Sequence, residues 1–155
     1  MYSKFGQFID GKWCQSQENE TYNVINPATE EILGKASKAS ANDVDNALIS
    51  AQKGFLIWKK YTPWARSKII RDIADLIRKK NNELAKWMTL ETGKPLSESI
   101  AEVNGSAEIF EWNAEETKRI YGQTVQSRFE DTRVIINYEP VGVVAALSPW
   151  NFPLI

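Results

Sequence analysis

Residues 141–155 read Val141-Gly142-Val143-Val144-Ala145-Ala146-Leu147-Ser148-Pro149-Trp150-Asn151-Phe152-Pro153-Leu154-Ile155, and the change of character at Ser148 decides the fold. The run before it is continuously apolar. That is the pattern of a strand covered on both faces in a mostly parallel sheet, because a strand with one wet face would alternate. In an open α/β sheet, ligands bind in the crevice outside the carboxyl ends of the strands, which is where residues 148–153 would fall. Pro149 and Pro153 limit backbone freedom on either side, so Asn151 would be held in a narrow range of directions. Its side-chain amide offers two donors to developing negative charge without titrating. Trp150 and Phe152 could wall off a flat ligand from water. On the residues alone, a strand-to-helix turn whose two aromatics fill core accounts for the segment as well as a binding loop does.

Upstream of this run the apolar period is helical. A helix is expected from Ser40, whose hydroxyl can cap the first turn while Asp43 completes a capping-box-like pattern and complements the helix dipole. Val44, Ala47, Leu48, Ala51 and Phe55 follow on one face. A second helix is expected after Thr62, with Pro63 in the first turn, where its missing N–H costs nothing. Ile69, Ile70, Ile73, Ile77, Leu84, Trp87 and Met88 form its stripe, and Gly93 ends it. Pro95 restarts the pattern, and Ile100, Val103, Ala107, Phe110, Ala114 and Tyr121 carry a third helix toward Gly122. Asn104-Gly105 would mark a turn elsewhere, yet the period continues through it. The charge runs Arg78-Lys79-Lys80 and Glu115-Glu116 read as solvated outer faces.

The flanking segments read as strands. Extended pieces are expected at 5–13, with a turn at Asp10-Gly11, at 22–25 and at 31–36, the last two separated by the turn formers Asn26-Pro27-Ala28-Thr29. Beyond Gly122, Val134, Ile136 and Tyr138 alternate with Arg133, Ile135, Asn137 and Glu139, the signature of a half-buried strand or hairpin, and Pro140 interrupts it. The fold class is α/β.

Composition narrows the function. The 155 residues are 43% hydrophobic and 25% charged, ordinary values for a globular domain. A formal net charge of -1, from 19 basic and 20 acidic residues, creates no field to attract nucleic acid or an anionic membrane. No stretch approaches the ~20 apolar residues of a membrane span, and the first residues lack a signal-peptide apolar region, so the expected location is cytoplasmic. With one cysteine, Cys14, and no histidine, the usual zinc, haem and Ser-His-Asp constellations cannot be built, and no metal is expected. The glycines form no G-x-G-x-x-G phosphate turn. Lys94 invites reading as a phosphate contact, although helix-end lysines are usually solvated.

Four blocks, in order along nearly the whole chain, carry a resemblance: Asn26-Pro27-Ala28-Thr29, Glu91-Thr92-Gly93-Lys94-Pro95-Leu96, Glu139-Pro140-Val141-Gly142-Val143 and Pro149-Trp150-Asn151-Phe152-Pro153. They resemble the N-terminal portion of the aldehyde dehydrogenase superfamily. The stretch Glu111-Trp112-Asn113-Ala114-Glu115-Glu116-Thr117-Lys118-Arg119-Ile120-Tyr121-Gly122 is most similar to the succinate-semialdehyde dehydrogenase branch, with Asn113 where an aromatic is more usual.

The resemblance implies a fold and a chemistry. Residues 1–122 would form an N-terminal β layer and the helical part of a cofactor-binding domain, with three long helices. Residues 123–140 would form an oligomerisation-type hairpin arm, and 141–155 the first buried parallel strand and loop of an incomplete Rossmann-like cofactor cleft. The implied reaction is NAD- or NADP-dependent oxidation of a small-molecule aldehyde, succinate semialdehyde among the candidates, to the acid. A cysteine thiolate attacks the carbonyl, a hydride leaves to the nicotinamide, and a glutamate activates the hydrolysing water. Asn151 matches the asparagine that stabilises the oxyanion, and Leu147, Ser148, Pro149 and Trp150, with Asn151, match the segment lining the cofactor cleft. The intact protein would be a homo-oligomer. Neither the nucleophile nor the base is matched here, Cys14 lying far from the motifs, so the chain is expected to be a fragment that is inactive alone. The alternative expectation is a non-catalytic interaction module, a helical bundle with an exposed hairpin that pairs with a full-length subunit.

Overall fold

The computed structural model describes residues 6–155. Asp10 and Gly11 both take positive φ, 54° and 74°, as a two-residue hairpin turn requires, and they join β1 (Gln7–Ile9) to β2 (Lys12–Cys14). The expected start of this piece at Phe5 lies outside the described residues. β3 (Thr21–Ile25) pairs antiparallel with β4 (Ile32–Ser37). Between them Asn26 folds its side chain back, its Oδ1 accepting from the Ala28 N–H at 2.9 Å. The extended pieces and turns expected in this region are thus present.

α1 (Ala41–Trp58) opens on the expected capping box, with Ser40 as N-cap and Asp43 at the third helical position. The Asp43 carboxylate is buried and does more than cap. It accepts from the Ser40 N–H at 2.8 Å, the Ser40 hydroxyl at 2.8 Å, the Ser16 hydroxyl at 2.9 Å and the Gln17 N–H at 3.3 Å. One side chain therefore caps the helix and fastens to it the segment that follows β2. The remainder of α1 is less covered than its period suggests, for Val44, Leu48 and Ile49 are exposed. Among the described elements α1 meets chiefly β1.

The single helix expected from Pro63 to Gly93 is two helices, so the described residues hold four long helices and not three. α2 (Pro63–Lys79) ends and α3 (Asn81–Thr92) begins at Lys80, where ψ shifts to 11°. Two asparagines in succession, both weak helix formers, follow the break. The Asn81 amide donates to Asn104 Oδ1 at 2.8 Å, which ties the start of α3 to α4 (Leu96–Glu116). Both α2 and α3 pack on α4, and the helix runs unbroken through Asn104-Gly105. A 3₁₀ turn, Thr117–Arg119, closes it short of the expected Gly122. The core sits where α3 crosses α4: Ala85, Met88 and Val103 are buried, with Ile77, Leu84, Ile100 and Leu154 packed around them.

β5 (Gln123–Gln126) and β6 (Arg133–Ile136) form the expected hairpin, but every residue of both strands is exposed where one buried face was anticipated. The buried parallel strand expected at 141–147 is not formed. Each sheet here is a two-stranded antiparallel ladder, and the run pairs with none of them. A parallel strand needs hydrogen-bonding neighbours and covering layers. Lacking them, Val141 and Leu147 are 91% and 95% exposed. The class remains α/β. Among the described residues no helix is long and apolar enough to cross a membrane.

The donors around Asp43, led by the Ser40 N–H, hold its carboxyl far below the ordinary value of 3.8, against the opposing effect of burial. A depressed carboxylate stabilises the fold fully above its ordinary value and loses that contribution as pH falls toward the depressed one. The 16–17 segment should therefore loosen from α1 progressively as pH falls below about 4 toward the depressed value. Asp43→Asn should show the released state already at neutral pH. Chemical shifts of the Phe8–Trp13 ring pair, 5.1 Å apart, report the change.

Candidate functional site

The segment 148–153 is placed by the junction between α3 and α4. α3 ends at Gly93, whose φ of 76° is left-handed and whose N–H donates to the Thr89 carbonyl at 2.9 Å. A Cβ at this position would lie 3.0 Å from Pro27 Cγ, so glycine here satisfies both the cap and a close approach. The Asn26-Pro27-Ala28-Thr29 turn and the Gly93-Lys94-Pro95 turn thus touch. Lys94 follows directly, and Pro95 starts α4.

Lys94 is not the solvated helix-end lysine its position suggests. Its side chain is 14% exposed and pairs with Glu102, one helical turn and a half into α4, whose side chain is 2% exposed. The Lys94 ammonium also donates to the Asn151 carbonyl at 2.7 Å and stands 4.6 Å from the centre of the Phe152 ring. A lysine has three donors, and this arrangement gives them a carboxylate, a carbonyl and an aromatic face. Glu102 uses Oε2 for Lys94 and Oε1 for the Leu154 N–H at 3.1 Å. Leu154 then enters the α3–α4 core, and the Phe152 N–H closes a turn on the Pro149 carbonyl at 3.3 Å.

The chain from Asn151 to Leu154 is therefore held at a carbonyl, a ring, an N–H and an apolar side chain. Asn151 itself is exposed at the apex. Leu147 and Trp150 lie beside it, 95% and 84% exposed, with Ser148 and Pro149 exposed between them. Phe152, expected to wall off a ligand together with Trp150, is turned to Lys94 instead. Cys14 is in the β1–β2 hairpin, its thiol against the Gln7 carbonyl at 3.4 Å. Chemically, the arrangement presents one neutral amide on an anchored backbone beside an open apolar surface.

Glu102 is the residue that the sequence reading missed, and with it the partner that draws Lys94 out of solvent. A signal was there: Glu102 lies on the same helical face as Ser99, Val103, Ser106 and Ala107, all of them buried. A carboxylate on a buried stripe must have a partner, and charge burial without one is prohibitive.

Residues 13–155 match the model of the aldehyde dehydrogenase family. The mitochondrial succinate-semialdehyde dehydrogenase of Arabidopsis thaliana is 42% identical over 146 residues, covering 94% of this chain and 28% of the plant protein. The glutarate-semialdehyde dehydrogenase of Pseudomonas aeruginosa is 40% identical over 146 residues, covering 94% of this chain and 30% of that protein. Among solved structures, an NADP-dependent enzyme of E. coli superposes with a TM-score of 0.93 at 38% identity, covering 98% of this chain and 32% of its own. The chain thus spans about a third or less of the length of the proteins it matches.

Removing one member of a buried ion pair leaves the other charge uncompensated, at a cost of about 3–5 kcal/mol. Glu102→Ala should destabilise the chain by that order in chemical denaturation. Glu20→Ala, which breaks the exposed Lys38–Glu20 pair, should leave the midpoint near wild type.

Proposed function

Because the chain belongs to the aldehyde dehydrogenase family, we propose that it serves the NAD- or NADP-dependent oxidation of an aldehyde to the carboxylic acid, with succinate semialdehyde as the substrate. The substrate reading is supported by the succinate- and glutarate-semialdehyde dehydrogenases to which it is similar. The observation that carries the chemical reading is the placement of Asn151, a neutral amide donor at the apex of a turn held at the Asn151 carbonyl and, three residues on, at the Leu154 N–H.

In this reading the Asn151 amide donates to the oxygen of the aldehyde as that oxygen gains negative charge on nucleophilic attack. Its backbone is held before the reaction, which limits the reorganisation needed when the charge appears. Because an amide does not titrate near neutrality, the donor is present at every working pH. Leu147, Ser148, Pro149 and Trp150 fit the edge of a cofactor cleft, since the exposed faces of Leu147 and Trp150 suit a flat ring system. When bound there, the nicotinamide would accept the hydride of the aldehyde. The thiol of Cys14 faces the Gln7 carbonyl within the β1–β2 hairpin, and it is not proposed as the nucleophile. The isolated chain is proposed to be inactive.

The hairpin of β5 and β6 is proposed as the arm through which the full-length enzyme forms a homo-oligomer. Val125, Val134, Ile135 and Ile136 are all exposed on it, and its outer edges offer unpaired backbone groups.

Two measurements on the full-length enzyme test these readings. Asn151→Ala should lower kcat about 100- to 1000-fold, the usual effect of losing one oxyanion donor, with KM little changed. A wild-type kcat would remove Asn151 from the chemistry. Ile135→Lys should reduce the mass of the assembly in light scattering, and an unchanged mass would place the subunit contact elsewhere.

A further inference from the structure

We propose that Lys94 and Glu102 are positioning residues for the Asn151 amide, acting on the reaction through the backbone they hold and not through stability alone. The inference rests on the reading of Asn151 as the oxyanion donor.

The geometry is specific to that purpose. The Lys94 ammonium bonds the carbonyl of Asn151 itself, at 2.7 Å, and so fixes the peptide plane that leaves the Asn151 Cα. Three residues on, Glu102 accepts the Leu154 N–H at 3.1 Å. Between these points the Phe152 ring lies over the same ammonium at 4.6 Å. The two charges hold each other, so neither bond can be lost without disturbing the other. Fixing the Asn151 carbonyl and the Leu154 N–H leaves the Cα–Cβ direction of Asn151 little freedom, while its amide stays exposed. Leu154 alone would anchor the segment in the core without setting that direction.

A misplacement of about 1 Å can cost as much as 100-fold in rate. The test is a kinetic cycle in the full-length enzyme with succinate semialdehyde and NADP⁺, or NAD⁺ where that is the preferred cofactor. Lys94→Met should lower kcat about 10- to 100-fold with KM for the cofactor unchanged. In the Asn151→Ala background the same substitution should produce no further fall, because the amide it positions is gone. Phe152→Leu, which keeps apolar bulk and removes the ring, should reproduce the pattern with a smaller fall and covers the case in which Lys94→Met folds poorly. Equal fold-losses in the two backgrounds, or a wild-type kcat for both Lys94→Met and Phe152→Leu, would overturn the proposal. An Asn151→Ala enzyme with wild-type kcat would instead overturn the oxyanion reading on which it rests.

Discussion

The pair of Lys94, half-buried, and Glu102, fully buried, is the constraint on which the ordered end of this chain depends. A charge removed from water must be matched in place, because an uncompensated one costs several kcal/mol. Here the match is made across the α3–α4 junction, so the helix end at Gly93 and the first turns of α4 cannot shift independently. The remaining capacity of both groups is directed at one segment, the Asn151 carbonyl and the Leu154 N–H. Gly93 makes this arrangement accessible: its left-handed φ turns the chain so that Lys94 points toward α4, and its missing Cβ admits Pro27. Two motifs that are 66 positions apart by number (93 minus 27) are thereby brought against the same junction.

The helices and hairpins were legible in the sequence because their causes are local. Ser40 and Asp43 specify a cap within one turn, Asp10-Gly11 specifies a two-residue hairpin, and the period from Ile100 to Ala114 survives Asn104-Gly105. The division of the Pro63–Gly93 stretch at Lys80 was not legible, because apolar spacing either side of the break is nearly in phase. What separates the two helices is a contact with Asn104, and local periodicity does not report a tertiary bond. The run 141–147 shows the opposite case. Its composition is that of a covered parallel strand, but composition states only what a segment can pair with, and no strand among the described residues pairs with it.

At the candidate site the same division holds. Asn151 could be picked out because two prolines and two aromatics frame it. The rigidity attributed to those prolines is in fact shared with groups from another part of the chain. Lys94 was misread because a lysine beside a helix-breaking glycine is usually solvated, and its true environment depends on Glu102 and on Asn151, 57 residues away. Phe152 was read as a ligand wall, and the ammonium beneath it claims its face.

A charged clamp in place of an apolar one has a physical rationale. Dispersion contacts are non-directional, so more Leu154-like packing would increase burial without selecting one peptide orientation. Hydrogen bonds to a carbonyl and to an N–H select it, because both fall off steeply with angle. Such a pair adds little net stability over a well-packed apolar substitute, so orientation is the contribution that its directional bonds make here. The turn it orients carries the Asn151 amide, and the apolar residues that precede it, Leu147 and Trp150, are left in the open.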